Sequence, residues 1–207
     1  MTDSVNSREL VLAILLAVTK DGIYSHVAIS DVLTKYQYLE KQERSFITRV
    51  SEGTLERMLE LDYIINQFSS VKVNKMKPVI RCIIRSAVYE MKYMDSVPVS
   101  ASCNEAVKLA KKKGFGKLSG FVNAVLKNYQ NAVFPDKKNR LQYVTVFGGT
   151  PQWLSKKLLK QYGFDFTMDM LTARLPVKTH IRVNTSRITP GEFQKKYDCK
   201  DLSPRGY

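Results

Sequence analysis

Six lysines, Lys108, Lys111, Lys112, Lys113, Lys117 and Lys127, lie within 20 consecutive residues. Across residues 106–160 there are 12 Lys or Arg and one acid, Asp136. By contrast, residues 1–65 carry a net −3, 66–105 carry +3 and 161–207 carry +3, against +14 for the whole chain. Ammonium groups at this density hold polyanions, above all a phosphate backbone whose condensed counterions they displace. Lysine at a helix C-terminus also complements the helix dipole, but that accounts for one or two of these side chains and not for the group. A purely solvating face is the competing reading. Confinement of the excess to one block favours polyanion binding.

Residues suited to covalent or metal chemistry form no comparable cluster. Cys82, Cys103 and Cys199 are odd in number, widely spaced and without a CxxC pair, which argues against a disulfide framework and a structural zinc site. His26 and His180 stand apart from any Asp, Glu or Cys group, so no metal is expected. Gly148-Gly149 reads as a linker, not as a nucleotide-binding turn. No run approaches the roughly 18 apolar residues of a membrane span, and Met1–Ser7 lacks a basic leader pattern. A cytoplasmic address is expected, without membrane partners.

The elements that must position the lysines are helical. Leu10, Val11, Ile14, Leu15 and Val18 make one apolar stripe, with Ser4 or Ser7 as N-cap. Ser30 is expected to cap a short helix through Tyr36. A long helical segment follows from about Glu40 to Phe68, with Gly53 either a break or a close-packing point. Pro78 suits the first turn of a helix carrying Val79, Ile80, Ile83, Ile84, Ala87, Val88 and Met91, which reads as the buried centre of a bundle. Ser102 and Glu105 have capping-box spacing in the next helix, which ends in Lys111-Lys112-Lys113-Gly114. Leu118–Tyr129 is the last helix of the bundle, with Asn123 and Lys127 one turn apart, opposite Phe121 and Val125. Arg81 and Arg85 are expected to pair with carboxylates such as Glu90 or Glu105. The fold class is therefore all-α over residues 1–135.

Residues 136–149 read as a linker with one short element. Thr150-Pro151 opens a helix with Trp153, Leu154, Leu158 and Leu159 on its apolar face, and a second helix spans about Asp165 to Arg174. His180–Asn184 alternates like a strand, and Thr189-Pro190 starts another helix. One strand cannot bury a sheet face. Residues 150–207 are thus expected to begin a small α/β subdomain of a larger unit. No feature sets the oligomeric state; a monomer is expected.

Three stretches together resemble the NusB family of helical RNA-binding domains, over about residues 5–130. They are Gly53-Thr54-Leu55 with Leu61-Asp62-Tyr63-Ile64; Ile80 to Met91; and Asn104 to Lys111 followed by Gly120 to Lys127. In that family the fold serves either as a free antitermination factor or as the N-terminal domain of the Sun/Fmu (RsmB) group of 16S rRNA cytosine-C5 methyltransferases. Pro151-Gln152-Trp153-Leu154, Tyr162-Gly163, Arg174-Leu175-Pro176 and Ile181–Thr185 resemble the segment before the catalytic domain of the methyltransferases, part of an RNA-recognition-like α/β subdomain.

The resemblance implies 16S ribosomal RNA as partner and S-adenosylmethionine as cofactor of the full-length family. RNA-contacting residues would be Lys108, Lys111, Lys112, Lys113, Lys117 and Lys127, with Arg182 and Asn184 on the expected strand. Asn123 has two readings, an RNA donor or a hydrogen bond within the bundle. Family members use cysteines in Pro-Cys and Thr-Cys contexts. Here Arg81, Ser102 and Asp198 precede the cysteines. No catalytic residue and no cofactor bound by this chain are therefore expected, the catalytic domain lying outside it.

Overall fold

The computed structural model describes residues 6–173 and 181–197. The chain divides into two compact units, Met1–Thr172 and Ala173–Tyr207. The first contains α1 (Ser7–Thr19), α2 (Ser25–Lys35), α3 (Lys41–Glu56), α4 (Met58–Phe68), α5 (Pro78–Tyr93), α6 (Val99–Lys112), α7 (Ser119–Asn128), α8 (Arg140–Phe147), α9 (Gln152–Tyr162) and α10 (Phe164–Thr172). Seven of these precede residue 131, with no strand among the described residues, as the 3.6-residue periodicity predicts.

α5 is the centre. Pro78 occupies its first turn, and Ile80, Ile83, Ile84, Ala87, Val88 and Met91 are buried. α1, α3, α4, α6 and α7 all pack against it. Cys82 is buried as a small apolar side chain, its Sγ 3.5 Å from the Thr19 hydroxyl, and burial pushes its thiol pKa up. Gly53 sits inside α3 and is no break. A Cβ there would fall 2.1 Å from the Tyr89 ring, which occupies the space that a side chain at position 53 would need. The break between α3 and α4 comes at Arg57.

Several helix starts differ from the expected ones. Asn6 caps α1, its side chain accepting from the Arg8 N–H at 2.9 Å. α2 begins at Ser25, ahead of Ser30. α6 begins at Val99, which frees Ser102 to donate to Glu90 at 2.9 Å across to α5. Residues 140–147 form α8, which packs on α4 and α9 and so joins the stretch expected to be a linker to the first unit.

The buried carboxylates of the bundle are paired, whereas the buried Ser51 and Thr54 hydroxyls have no hydrogen-bond partner among the described residues. Glu90 is 2% exposed and accepts from Arg8 Nε at 3.1 Å and from its terminal nitrogen at 2.6 Å. Arg85 donates to both Asp62 carboxylate oxygens, at 2.7 and 2.6 Å. Arg85 thus turns to α4, and Glu90 is taken by α1 and α6. The expected pairing of Arg85 with a helix carboxylate holds, but its partner is Asp62 and not Glu90 or Glu105, and Arg81 makes no ion pair among the described residues. Five residues separate positions 85 and 90, which places them on different sides of α5. Glu60 is held by Lys92, Tyr93 and Arg57.

In the second unit α11 spans Pro190–Tyr197. Its start is the one the sequence indicates. The Glu192 N–H donates to Thr189 Oγ1 at 3.3 Å, and the Thr189 N–H donates back to the Glu192 carboxylate at 3.0 Å. Ile181–Asn184 is irregular backbone, so the strand expected there is not present. A strand is held by ladder hydrogen bonds to a neighbour, and the described residues supply none. Arg174–Pro176, His180 and Cys199 lie outside the described residues.

The buried charges can be tested through stability. Glu90→Gln should lower unfolding free energy by about 3 kcal/mol, because Arg8 loses its buried anion. Arg8→Met with Glu90→Leu should recover most of that loss in urea titrations. For Glu60, burial pushes the pKa up, but Lys92, Tyr93 and Arg57 together outweigh it and the net shift is downward. A depressed folded pKa contributes stability that is present above the unfolded value of about 4.3 and is lost as pH falls through the folded value. Urea midpoints should therefore drop below about pH 4.5 in the wild type, and less steeply in Glu60→Gln.

Candidate nucleic-acid interface

The C-terminal turn of α6, the following loop and α7 bring the six lysines onto neighbouring elements. Lys108, Lys111 and Lys112 lie on α6, with Lys113 at its C-cap. Gly114 then takes a φ of +84°, the left-handed conformation that lets the chain reverse. Lys117 falls in a short 3-10 turn, and Lys127 on α7. All six are exposed. The α6–α7 packing that brings them together is apolar. Ala106, Leu109 and Ala110 of α6 and Val122, Val125 and Leu126 of α7 are buried.

The lysines divide into two kinds. Lys112 and Lys113 both bind Glu9 of α1, Lys113 at 3.0 Å, and Lys108 binds Glu105 at 2.8 Å. The Lys112 hydrogen bond, ahead of the contribution of Lys113, holds the Glu9 carboxyl below its ordinary range despite some desolvation. Lys111, Lys117 and Lys127 make no ion pair with a carboxylate of the described residues. Two carboxylates thus answer six ammonium groups, and the local field stays cationic. Nothing in the sequence singles out Glu9. It lies more than 100 residues from its partners, and a helical acid near an N-terminus reads only as dipole complement.

Asn123 is half-buried, and its Oδ1 accepts from Cys103 Sγ at 3.3 Å, tying α7 to α6. Its carbonyl therefore serves the bundle, which favours the structural one of its two readings. Arg182 and Asn184 are exposed in the second unit. The Asn184 Oδ1 accepts from the N–H and hydroxyl of Ser186, at 3.2 and 2.6 Å, so its side chain closes a local turn.

α9 is a further basic helix that periodicity alone does not reveal. Trp153, expected on the apolar face of α9 from its hydrophobicity, is 68% exposed, and Lys156, Lys157 and Lys160 are exposed beside it. Leu154, Leu158 and Leu159 alone make the half-buried side. The helix starts at Gln152, and Thr150 is buried with its hydroxyl 2.8 Å from that of Ser155 instead of capping the helix. That buried pair sets which side of α9 faces in.

Among the described residues no group of three or more His, Cys, Asp or Glu is placed to hold a metal. No helix among them is long and apolar enough to cross a membrane.

Residues 5–131 match the NusB family. The chain is 31% identical over 193 residues to the probable ribosomal RNA small subunit methyltransferase B of Bacillus subtilis, covering 90% of this chain and 42% of the relative. It is 36% identical over 126 residues to the transcription antitermination protein NusB of Bacillus pumilus, covering 60% of this chain and 92% of that protein. The chain thus spans less than half the length of the methyltransferase. A crystal structure of PH0851 shares the fold at a TM-score of 0.62 and 19% identity, over 94% of this chain and 45% of that one. Helical bundle, family match and relatives agree: the chain belongs to the NusB family.

Proposed function

We propose that this chain is the RNA-targeting region of an S-adenosylmethionine-dependent, cytosine-C5 methyltransferase of small-subunit ribosomal RNA, acting in the cytoplasm. One observation carries the reading. The similarity to the methyltransferase takes in 193 residues, whereas the NusB family match stops at residue 131. Residues 136–149, whose α8 packs on α4, would carry the chain from the RNA-binding bundle into the start of a pre-catalytic α/β subdomain proposed over 150–207. The alternative, a stand-alone antitermination factor, is supported by relatives of that name that are matched over nine-tenths of their own length.

The described residues do not fit S-adenosylmethionine. A nucleotide-binding turn needs glycines open to the ligand at the end of a strand. The one glycine pair, Gly148-Gly149, follows helix α8, and the Cβ position of Gly148 is already filled by the Leu171 side chain at 2.6 Å. No methyl-transfer step is assigned to these residues. Calorimetric titration of the 207-residue chain with S-adenosylmethionine should give no heat above dilution. Saturable binding at micromolar concentration would show that a site has been overlooked.

RNA would be held by phosphate contacts on the α6–α7 face. Lys111, Lys117 and Lys127 offer unneutralised charge, whereas Lys112 and Lys113 share Glu9. Substituting Lys111, Lys117 and Lys127 together by Gln should weaken binding to a 16S rRNA fragment and flatten the slope of log affinity against log salt by roughly two to three units. Lys112→Gln with Lys113→Gln should flatten it less, and Glu9→Gln should tighten binding. These are surface positions, so stability should move by less than about 0.5 kcal/mol for each Lys→Gln. A folded Lys111/Lys117/Lys127 variant with unaltered affinity and slope would reduce the face to a solubility feature.

A further inference from the structure

α9 carries a surface that the family fold does not explain. At about 100° per residue, Trp153, Lys156, Lys157 and Lys160 fall within one arc of about 100°. Ser155 lies across the helix from them, fully buried, its hydroxyl oxygen 3.1 Å from Thr145 Oγ1 and 2.8 Å from Thr150 Oγ1. That buried hydroxyl cluster fixes the rotation of α9 and leaves the indole and three ammonium groups facing outward. α9 contains no acidic residue, and none of the three lysines makes an ion pair with a described carboxylate. Gly163, with a φ of +74°, ends the helix just beyond Tyr162.

We propose that the outer face of α9 binds single-stranded RNA, with a base stacked on Trp153 and the adjoining phosphates held by Lys156, Lys157 and Lys160. An indole 68% exposed to water is an unfavourable way to place the largest apolar side chain unless something covers it. A ring flanked by unpaired cations matches a nucleotide strand, which presents a π-face at each base and a charge at each phosphate. A membrane surface is the poorer fit. A helix lying in a bilayer interface shows a broad apolar sector, whereas here Leu154, Leu158 and Leu159 are half-buried, α9 packs on α8 and α10, and its two exposed rings, Trp153 and Tyr162, stand about 180° apart around the helix and form no continuous sector. The surface is distinct from the α6–α7 lysines in composition as well as position, because that face has no exposed aromatic ring among its lysines. The inference rests on the reading of the chain as an RNA-targeting region. It adds a second contact that engages unpaired nucleotides.

Trp153 is the sole tryptophan of the chain, so its fluorescence reports this site alone. Titration with an oligouridylate of about 12 nucleotides, within the site size of common single-strand binders, should quench it saturably, whereas inorganic polyphosphate of equal charge should not. Trp153→Ala should weaken binding of the labelled oligonucleotide, read by anisotropy, by about 5- to 150-fold, the range expected for loss of one base stack. Trp153→Phe should retain part of the affinity. Lys156→Gln, Lys157→Gln and Lys160→Gln together should flatten the salt slope by about two units for a single strand, with the far-ultraviolet circular dichroism unchanged. The inference is overturned if the oligonucleotide binds while Trp153 emission stays constant, or if Trp153→Ala binds within twofold of wild type. It is also overturned if anionic vesicles of phosphatidylglycerol shift Trp153 emission to the blue and the oligonucleotide does not. Failure of the wild type to retain any RNA, structured or single-stranded, would remove the functional reading itself. Retention of the structured 16S fragment with a silent Trp153 would remove only the α9 site.

Discussion

The bundle is organised around one carboxylate. Glu90 sits almost wholly out of water in the last turn of α5 and receives Arg8 from α1 and Ser102 from α6. A charge in that position is costly unless it is fully hydrogen-bonded. The three helices are therefore constrained to a single mutual arrangement by polar geometry, while the apolar residues around them supply the bulk of the driving force without direction. Arg85 and Asp62 make the corresponding tie between α5 and α4. The lysine face depends on this arrangement. Arg8 and Glu9 are neighbours on α1. Arg8 turns inward to Glu90, and Glu9 turns outward to Lys112 and Lys113 at the end of α6.

The same chain therefore uses charge in two ways. Inside, the buried Glu60, Glu90 and Arg85 side chains are paired, and these pairs specify packing. Outside, on α6, α7 and α9, lysines exceed their carboxylate partners, and what they can do depends on the ligand that arrives. Glu9 stands between the two uses. It anchors α1 to α6 and at the same time neutralises part of the field that a phosphate backbone would meet. The cationic faces are consequently unequal: one is tempered by Glu9 and Glu105, the other is open and carries an aromatic ring.

The helical character of residues 6–131 and the burial of α5 are readable because local periodicity and a strongly apolar circumference determine them, whatever the partner. Val79, Ile80, Cys82, Ile83, Ile84, Ala87, Val88 and Met91 together cover most of a helix's circumference. The lysine cluster is equally plain, since its members are close in sequence. Hydrophobicity misplaces Trp153 for a definite reason. It puts indole inside, but on α9 the inner side is chosen by the Ser155, Thr150 and Thr145 hydroxyls, which no apolar periodicity registers. The segment 181–184 alternates like a strand, yet alternation states only what a strand would look like once paired, and pairing requires a neighbour.

By itself the sequence determined the helix-rich class, the central helix and the location of excess positive charge, because each depends on composition or on spacings shorter than two turns, and it carried the family resemblance because that rests on residue identities in order along the chain. Only the tertiary structure decided which acids meet which bases. Arg8 reaches Glu90 across 82 residues, Lys113 reaches Glu9 across 104, and Arg85 reaches Asp62 across 23. Such pairings depend on helix rotation and crossing geometry, which are set by side-chain interdigitation and buried hydrogen bonds throughout the bundle. That is also why the unpaired lysines, the ones proposed to hold RNA, could be separated from the paired ones only once the helices had been brought together.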